Sequence, residues 1–217
     1  NIRVGSVKYA NKNKSYGLTT LLKKHVKQKK GKMFLNFKGK SNVIHTITIE
    51  NNKIKQFIKS QMELKETRLF HFIVNRKQKR VYSDILNETI KKIMGQIFYS
   101  KDFRTFAANI YFIKYINEIS IKTTTKLTNK TQLKQNLKYA LGKAALRLGH
   151  TLNMAKKSYV MDFLQKMYLD DPYKFTNIKS PKQFLYNILK EKEPELSKIS
   201  KTNKNKINYI ARRLKYN

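Results

Sequence analysis

The sequence predicts an α+β fold, mostly α, in which a small antiparallel three-stranded sheet is followed by a helical bundle. Three short β-type segments lie near the start, and helical spacing of apolar residues prevails from about Ile54 onward. The 217 residues, 40% of them hydrophobic, are enough to bury a sizeable core. We expect one domain over 1–170, with a β-sheet part at 1–50 and a helical part at 51–170. A basic helical extension is expected at 171–217.

Short turn signals separate the β-type segments. The stretch Lys38-Gly39-Lys40-Ser41-Asn42 has a composition typical of a tight turn, so we expect Lys40 at or beside a hairpin tip. The charged stretch Lys27–Lys30 is interpreted as another turn. The expected strands are Leu18–Val26, Lys32–Phe37 and Val43–Ile49.

Helical patterns fill most of the remaining chain. Ser83 is a candidate N-cap, and Pro181 after Ser180 fits a helix that begins with a cap followed by proline. The polar, Thr-rich stretch Ser120–Asn129 is expected to be an exposed linker. The predicted helices are Ile54–Leu64, Ser83–Ile97, Phe103–Ile116, Thr131–Leu148, Ser158–Tyr168, Pro181–Leu189 and Lys204–Leu214.

The charge balance points to a polyanionic partner. The chain has 48 Lys and Arg against 13 Asp and Glu, a net charge of +35, which favours nucleic acid phosphates or an anionic membrane surface. A codon bias toward AT-rich DNA explains part of the lysine count, but it leaves the scarcity of acidic residues unexplained. The absence of cysteine excludes a disulfide scaffold, a thiolate zinc site and a cysteine nucleophile.

Elimination narrows the chemistry further. The sequence has no glycine-rich P-loop, and its histidines lack the spacing of metal ligands. The acidic pair Asp170-Asp171 is explained by a helix end before Pro172, so we expect no metal and no cofactor. If the protein cuts nucleic acid, cationic side chains must stabilise the charge and a side chain must act as nucleophile.

Three stretches meet that demand. In the first, Lys101 precedes Arg104 by three positions, which puts both on one face at a helix start. The second is Leu148-Gly149-His150-Thr151, and the third ends in Lys156-Lys157-Ser158-Tyr159. A turn and a short helix between His150 and Tyr159 could return both side chains to one phosphate group.

In this order, the motifs resemble those of type IB DNA topoisomerases of the poxvirus and large-DNA-virus branch. The resemblance runs from Ile2 to about Met167, and it implies a catalytic domain of the tyrosine-recombinase-like fold. The matching segments are Ile2-Arg3-Val4-Gly5 with Tyr9, Phe37-Lys38-Gly39-Lys40, Lys101-Asp102-Phe103-Arg104-Thr105, Gly149-His150-Thr151, and Lys156-Lys157 before Tyr159.

The resemblance implies an activity and a set of site residues. The activity is relaxation of supercoiled DNA through transient single-strand cleavage, a 3′-phosphotyrosyl intermediate, strand rotation and religation, without ATP or metal. Tyr159 is the implied nucleophile and Lys40 the implied general acid, supported by Lys101. Arg3, Arg104 and His150 are the implied donors to the non-bridging phosphate oxygens. The implied DNA-binding residues are Gly5, Tyr9, Lys38, Lys156 and Lys157.

The resemblance also implies a partner and a location. The partner is double-stranded DNA rather than a membrane, and the protein is expected to be a monomer. For a viral source we expect the virion or a viral factory in the host cytoplasm, and otherwise the nucleus or nucleoid. From the resemblance we expect that this sequence starts after the family's small N-terminal β domain, which closes a clamp around DNA. Ser6 stands where a lysine is expected.

Two alternatives stay open. A site-specific tyrosine recombinase shares the chemistry, but such enzymes usually have histidine at the position of Lys101 and a histidine or tryptophan within Ala155–Ser158. A non-enzymatic basic nucleic-acid-binding protein is supported by the charge alone, and it predicts no covalent adduct with DNA.

Overall fold

A computed structural model describes residues 2–95 and 98–192 of the chain. The chain divides into two compact units. We call Ile2–Ile93 the amino-terminal unit, and the part from Met94 onward the carboxy-terminal unit. Each unit has its own cluster of buried apolar side chains.

The amino-terminal unit is built around a three-stranded antiparallel sheet with strand order β1-β2-β3. Alternate residues of β2 are buried, and Met33, Leu35 and Phe37 form a core with Leu21 and Leu69. The strands are β1 (Val26–Lys29), β2 (Lys32–Lys38) and β3 (Ile44–Ile49).

The first predicted strand is wrong in its position. Most of Leu18–Val26 forms two 3₁₀ turns, at Leu18–Thr20 and Lys23–His25, and β1 begins only at Val26. The predicted turn at Lys27–Lys30 is therefore mostly strand. The chain reverses at Lys30 and Gly31, whose φ angles are 48° and 72°.

The other elements of this unit are three helices and a second hairpin. The predicted helix Ile54–Leu64 is confirmed as α2, whereas α1 and the β4–β5 hairpin were not predicted. That hairpin turns at Asn75 and Arg76, which have positive φ angles of 49° and 60° without any glycine to signal the turn. The elements are α1 (Val7–Asn13), α2 (Asn52–Glu63), β4 (His71–Val74), β5 (Lys77–Arg80) and α3 (Ser83–Met94).

The carboxy-terminal unit is helical. Its core includes Phe112 and Ile116, together with Leu164 and Tyr168, all of them fully buried. Phe175 and Leu185 join this same core, so the described part of the segment after Asp171 packs with the preceding helices. The helices are α4 (Ser100–Lys122), α5 (Lys130–Leu148), α6 (Leu152–Ser158), α7 (Asp162–Asp170) and α8 (Pro181–Glu191).

Several predicted helix boundaries differ from the structure. The predicted helix Phe103–Ile116 is the middle of the longer α4. This helix extends into Ser120–Asn129, which was expected to be an exposed linker, and Ser120 and Leu127 of that stretch are buried. The helix predicted over Ser83–Ile97 is α3, which ends earlier, at Met94.

The remaining helix predictions divide three ways. The prediction of one helix over Ser158–Tyr168 is wrong, because α6 ends at Ser158 and α7 begins at Asp162. The cap at Ser180 is confirmed, since its Oγ accepts a hydrogen bond from the Gln183 N–H at 3.2 Å. Lys204–Leu214 lies outside the described residues.

Candidate active site

Tyr159 lies in a short non-helical segment immediately after α6. Gly149, with φ of 61°, ends α5 in the left-handed conformation, and the Thr151 hydroxyl caps α6 by accepting a hydrogen bond from the Met154 N–H. This turn and short helix bring the rings of His150 and Tyr159 to a centroid separation of 4.1 Å, with an interplanar angle of 35°. The return of His150 and Tyr159 to one place, expected from the sequence, is confirmed.

Arg104 lies beside this pair on α4, with only 5% of its surface exposed. Its Nη2 donates a hydrogen bond to the Leu148 carbonyl oxygen at 2.7 Å, and it is also 2.7 Å from Nε2 of His150. Because a guanidinium has no acceptor, Nε2 must be the acceptor here, and the proton of a neutral His150 ring is then on Nδ1. One buried cation therefore contacts both the end of α5 and the histidine.

Two cations approach the Tyr159 ring. Nζ of Lys101 is 5.7 Å from the ring centroid, and Cζ of Arg104 is 6.0 Å from it. Both residues come from the first turns of α4, as their i, i+3 spacing predicted. Lys101 is exposed while Arg104 is buried, so one solvated and one desolvated positive charge lie near the tyrosine. This arrangement attracts an anionic group to the phenol.

Buried side-chain amides hold the backbone around Tyr159. Nδ2 of Asn109 donates to the Tyr159 carbonyl oxygen at 3.0 Å, and its Oδ1 accepts from the Met161 N–H at 2.9 Å. Nε2 of Gln165 donates to the carbonyl oxygens of Lys156 at 3.1 Å and Val160 at 3.2 Å. Tyr159 is thus fixed by hydrogen bonds on both of its flanks.

These two amide residues were missed in the sequence. Asn109 lies inside α4, where asparagine is a poor helix former, and its spacing of three, four and seven residues from Phe112, Ile113 and Ile116 places it on their apolar face. An asparagine on an apolar helix face must find partners for its amide, and this was the available signal; here Nδ2 also donates to the Thr105 carbonyl oxygen within α4, at 2.7 Å. Gln165 gave no comparable signal, because glutamine is common on helices.

In the amino-terminal unit, the first and second motifs line one cavity. Its volume is about 450 Å³, and Arg3, Gly5, Tyr9 and Lys40 are among its lining residues. The Arg3 carbonyl accepts a hydrogen bond from the Leu18 N–H at 2.7 Å, which fixes the backbone of the first motif. The structure therefore brings these four residues together around one cavity of this unit.

Gly5 is required by its conformation and by its surroundings. Its φ is 99°, and a Cβ at this position would lie 2.7 Å from Oγ1 of Thr20 and 3.1 Å from the backbone of Gly17. No L side chain fits both conditions without displacing its neighbours. A glycine here allows the backbone of the first motif to approach the 3₁₀ turn Leu18–Thr20 closely.

Lys40 is confirmed in the turn of the β2–β3 hairpin. The strands end at the pair Lys38 and Ile44, and the Gly39 N–H donates to the Val43 carbonyl oxygen at 2.7 Å. Ser41 and Asn42 both have positive φ angles, of 60° and 62°. Lys40 itself is exposed at the cavity rim, so its charge is available to a bound molecule.

The remaining predicted DNA-binding residues are solvent-accessible to different degrees. Tyr9 is 58% exposed on α1. Lys156 and Lys157 are exposed in the last turn of α6, directly before Tyr159, and Lys38 is half-buried at the end of β2. Lys101, Arg104, His150 and Tyr159 thus form one group in the carboxy-terminal unit, and Arg3, Gly5, Tyr9 and Lys40 form another in the amino-terminal unit.

The described chain offers neither a metal-ligand cluster nor a membrane-spanning helix. Among residues 2–95 and 98–192, no three or more His, Cys, Asp or Glu side chains are grouped in a way that could hold a metal ion. In that same part of the chain, every helix is too short or too polar to cross a membrane.

Comparison with known proteins gives the family to which this fold and tyrosine site belong. The family model described as eukaryotic DNA topoisomerase I, catalytic core, matches residues 1–183. The chain belongs to this DNA topoisomerase I family, which confirms the resemblance that its motifs carry.

Viral proteins are among its relatives. The chain is 43% identical over 197 residues to the DNA topoisomerase 1B of Acanthamoeba polyphaga mimivirus, covering 88% of this chain and 58% of that protein. It is 28% identical over 163 residues to the DNA topoisomerase 1 of Rabbit fibroma virus (73% and 47%), and 27% identical over 171 residues to the DNA topoisomerase 1B of Vaccinia virus (78% and 50%). The chain therefore spans about half the length of the curated relatives that it matches.

Proposed function

We propose that this chain relaxes supercoiled DNA by cutting and rejoining one strand, without ATP or a metal ion. The observation that carries the proposal is the contact of the Tyr159 ring with His150, while Arg104 is held against the same histidine. Membership of the topoisomerase I family supports the same reading. The polyanionic partner expected from the net charge of +35 is then double-stranded DNA.

Tyr159 is the nucleophile in this proposal. Its phenolic oxygen forms a bond to the phosphorus as the bond to the 5′-oxygen breaks, and the phenol loses its proton. The product is a 3′-phosphotyrosyl linkage and a free 5′-hydroxyl. Because the linkage conserves the energy of the phosphodiester, the reverse attack by the 5′-hydroxyl reseals the strand without ATP.

Arg104 and His150 stabilise the charge on the non-bridging oxygens. In the free protein, Nη2 of Arg104 and Nε2 of His150 are 2.7 Å apart, so the two atoms are close enough to serve one phosphate. His150 can donate from Nε2 only after the proton has moved to that nitrogen or the ring has become charged. Substrate binding therefore replaces the contact between the two side chains with contacts to oxygen.

The groups of the amino-terminal unit complete the proposed roles. Arg3 is the second arginine donor to the non-bridging oxygens, and Lys40 is the general acid that protonates the departing 5′-oxygen, with Lys101 in support. Gly5, Tyr9, Lys38, Lys156 and Lys157 contact the DNA. We propose that the protein acts as a monomer, and that it acts on viral DNA in the virion or in a cytoplasmic viral factory.

Incubation with supercoiled plasmid in EDTA, without ATP, tests the proposal. We expect relaxed topoisomers and, after denaturation, a covalent protein–DNA adduct. Tyr159→Phe should bind DNA as the wild type does but form no adduct. The matched control is Tyr139→Phe, which removes the hydroxyl of another partly exposed tyrosine of the same unit and should leave relaxation intact.

The same experiment separates the alternatives. A basic binding protein without enzymatic activity gives salt-sensitive DNA binding but no adduct at any time. A site-specific recombinase gives an adduct only at its own sites and does not relax a plasmid that lacks them. Activity that disappears on chelation would contradict the proposal that cations alone stabilise the transition state.

A further inference from the structure

A row of four aromatic rings ends on the hairpin that carries Lys40. Tyr16 meets His25 edge to face at a centroid distance of 4.4 Å, and His25 is 6.2 Å from Phe37. Phe37 stacks on His45 at 5.1 Å with an interplanar angle of 25°. Phe37 and His45 are also cross-strand partners of β2 and β3. The row therefore ends on the second residue pair from the turn, next to the pair Lys38 and Ile44.

The last ring of this row packs on Gly39. A Cβ at Gly39 would lie 2.6 Å from both Cδ2 and Nε2 of His45. The backbone of Gly39, with φ of −95° and ψ of −167°, is one that any residue adopts, so conformation is not the reason for a glycine here. The reason is the space that the imidazole of His45 occupies.

Two backbone hydrogen bonds close the turn beyond Gly39, from the Gly39 N–H to the Val43 carbonyl oxygen at 2.7 Å and from the Val43 N–H to the Lys40 carbonyl oxygen at 3.5 Å. Its 3₁₀ segment, Lys40–Asn42, has no side-chain cap, and two of its residues have left-handed backbones. The Lys40 side chain is exposed. Contact between a flat ring and the bare glycine backbone adds to these bonds at Gly39, directly before the lysine.

We propose that His45 is a positioning residue for Lys40. By packing on Gly39, its ring sets the path of the turn and thereby the place from which Nζ of Lys40 donates a proton. The inference rests on the proposed function, in which that proton passes to the 5′-oxygen as the bond from phosphorus to that oxygen breaks and the bond to the Tyr159 oxygen forms. His45 itself touches neither the substrate nor the proton.

A leaving group that needs no proton provides the sharpest test. In a duplex with a 5′-bridging phosphorothiolate, the departing atom is a thiolate, which leaves readily without an acid because its pKa is far below that of an alcohol. In single-turnover cleavage of an ordinary duplex, we expect His45→Ala to lower the cleavage rate by about 10-fold or more. That is part of the 10²–10⁴-fold that a general acid contributes. With the sulfur substrate His45→Ala should cleave at close to the wild-type rate, as should Lys40→Ala.

A double-mutant cycle tests the packing itself. Gly39→Ala forces a methyl group against His45 and should slow cleavage of the ordinary duplex. The same substitution in a His45→Ala background has the space it needs, so it should cost less there than in the wild type. His45→Phe keeps a flat ring on Gly39 and on Phe37, and it should retain most of the activity. Additive losses, or an inactive His45→Phe, would contradict a packing role.

Ile47→Ala is the matched control for loss of stability. Ile47 lies two residues along β3 on the same face as His45, and it packs on the core of the amino-terminal unit. This variant should lower the melting temperature without changing the ratio of the rates with the sulfur and oxygen substrates. If His45→Ala slows both substrates equally, or neither, His45 does not position Lys40.

The controls also separate this inference from the proposed function. A wild-type chain that forms no adduct with either substrate overturns the proposed function and the inference together. Failure of sulfur to rescue Lys40→Ala removes Lys40 as the general acid, and the inference with it. Rescue of Lys40→Ala without rescue of His45→Ala overturns the inference alone and leaves the function standing.

Discussion

The two units hold their candidate catalytic groups in different ways. In the carboxy-terminal unit, Arg104 is buried, and hydrogen bonds from Asn109 and Gln165 hold the chain on both sides of Tyr159. In the amino-terminal unit, Lys40 is exposed in a turn whose glycine rests on a ring. Side-chain hydrogen bonds hold the position of Tyr159, whereas the Lys40 turn combines its own backbone hydrogen bonds with ring packing.

This difference predicts how each unit responds to substitution. A hydrogen bond between buried groups leaves an unsatisfied partner when one side is removed, so truncation in the carboxy-terminal unit should be costly. Packing tolerates a change of chemistry provided that shape is kept, so the hairpin should accept His45→Phe. The nucleophile is thus the stringently held group, and the proposed acid is held by shape.

The largest effect is expected at Arg104. Arg104→Ala removes a donor to the phosphate oxygens and should slow single-turnover cleavage by about 10²–10³-fold. Arg104→Lys keeps the charge but not the paired donors, so it should recover only part of the loss. If Arg104→Lys cleaves as fast as the wild type, the site uses the positive charge rather than the geometry of the guanidinium.

A smaller but still clear effect is expected at Asn109. Asn109→Ala removes the hydrogen bonds to the Tyr159 carbonyl and the Met161 N–H, and a misplacement of about 1 Å at a reacting group can cost on the order of 10²-fold in rate. Asn109→Asp keeps an acceptor for the Met161 N–H and loses the donor to Tyr159. If Asn109→Asp cleaves as slowly as Asn109→Ala, the Nδ2 donor, which bonds the carbonyl oxygens of Tyr159 and Thr105, matters rather than the Oδ1 acceptor.

Gln165 should matter less than Asn109, because its carbonyl partners belong to Lys156 and Val160 rather than to Tyr159 itself. We expect Gln165→Leu, which keeps the volume but not the amide, to slow cleavage by about 10-fold, through small misplacements of the reacting group. DNA binding at equilibrium should be unchanged. A loss of binding together with rate would mean that the substitution disturbs α6 and its lysines, not the tyrosine alone.

The sequence predicted the elements whose signal is local. The alternation in β2, the turn at Gly39 and the long apolar helices α4 and α5 all follow from residue spacing, and they were predicted. A turn and a short helix between His150 and Tyr159 were expected, and α6 is that helix. The helix predicted over Ser158–Tyr168, however, left no room for the break in helical structure after α6. That break depends on hydrogen bonds from Asn109 and Gln165. Asn109 is far from it in the sequence, and a glutamine such as Gln165 is common on helices.

The motifs were predicted better than the contacts that hold them. Tyr159, His150, Arg104 and Lys101 were selected because their order resembles a family, and their proximity within one unit follows from the fold. The role of His45 could not be predicted, because nothing local in the sequence shows that its ring occupies the space beside Gly39. Contacts between strands depend on register, which composition does not reveal.

The smallest expected effect concerns stability rather than rate. It tests whether the row of four aromatic rings beside the Lys40 hairpin is packed without water. Burial, aided by the charges of Lys24 and Lys27, lowers the pKa of His25 from 6.5 to about 4. Its Nδ1 accepts a hydrogen bond from the Leu22 N–H at 3.1 Å, which requires the unprotonated nitrogen. The folded protein therefore holds His25 neutral at pH values where the unfolded chain has taken up a proton.

The sign of the effect follows from that difference. Below pH 6.5 the unfolded state binds the proton and the folded state does not, so the free energy of unfolding falls as the pH falls toward 4. Between pH 7.5 and 5 the loss should be about 2 kcal/mol, by linkage of the two pKa values. Burial also lowers the pKa of His71, which adds to the slope in the same direction.

Urea unfolding followed by far-ultraviolet circular dichroism, which suits a chain without tryptophan, measures this slope. His25→Phe keeps an aromatic ring between Tyr16 and Phe37 and removes the titrating group, so its stability should depend less on pH over the same interval. His71→Phe is the comparison that isolates the share of the other buried histidine. If the free energy of unfolding of His25→Phe depends on pH as strongly as that of the wild type, water or a charge reaches the row of four rings. The argument that packing of these rings supports the Lys40 hairpin would then fail.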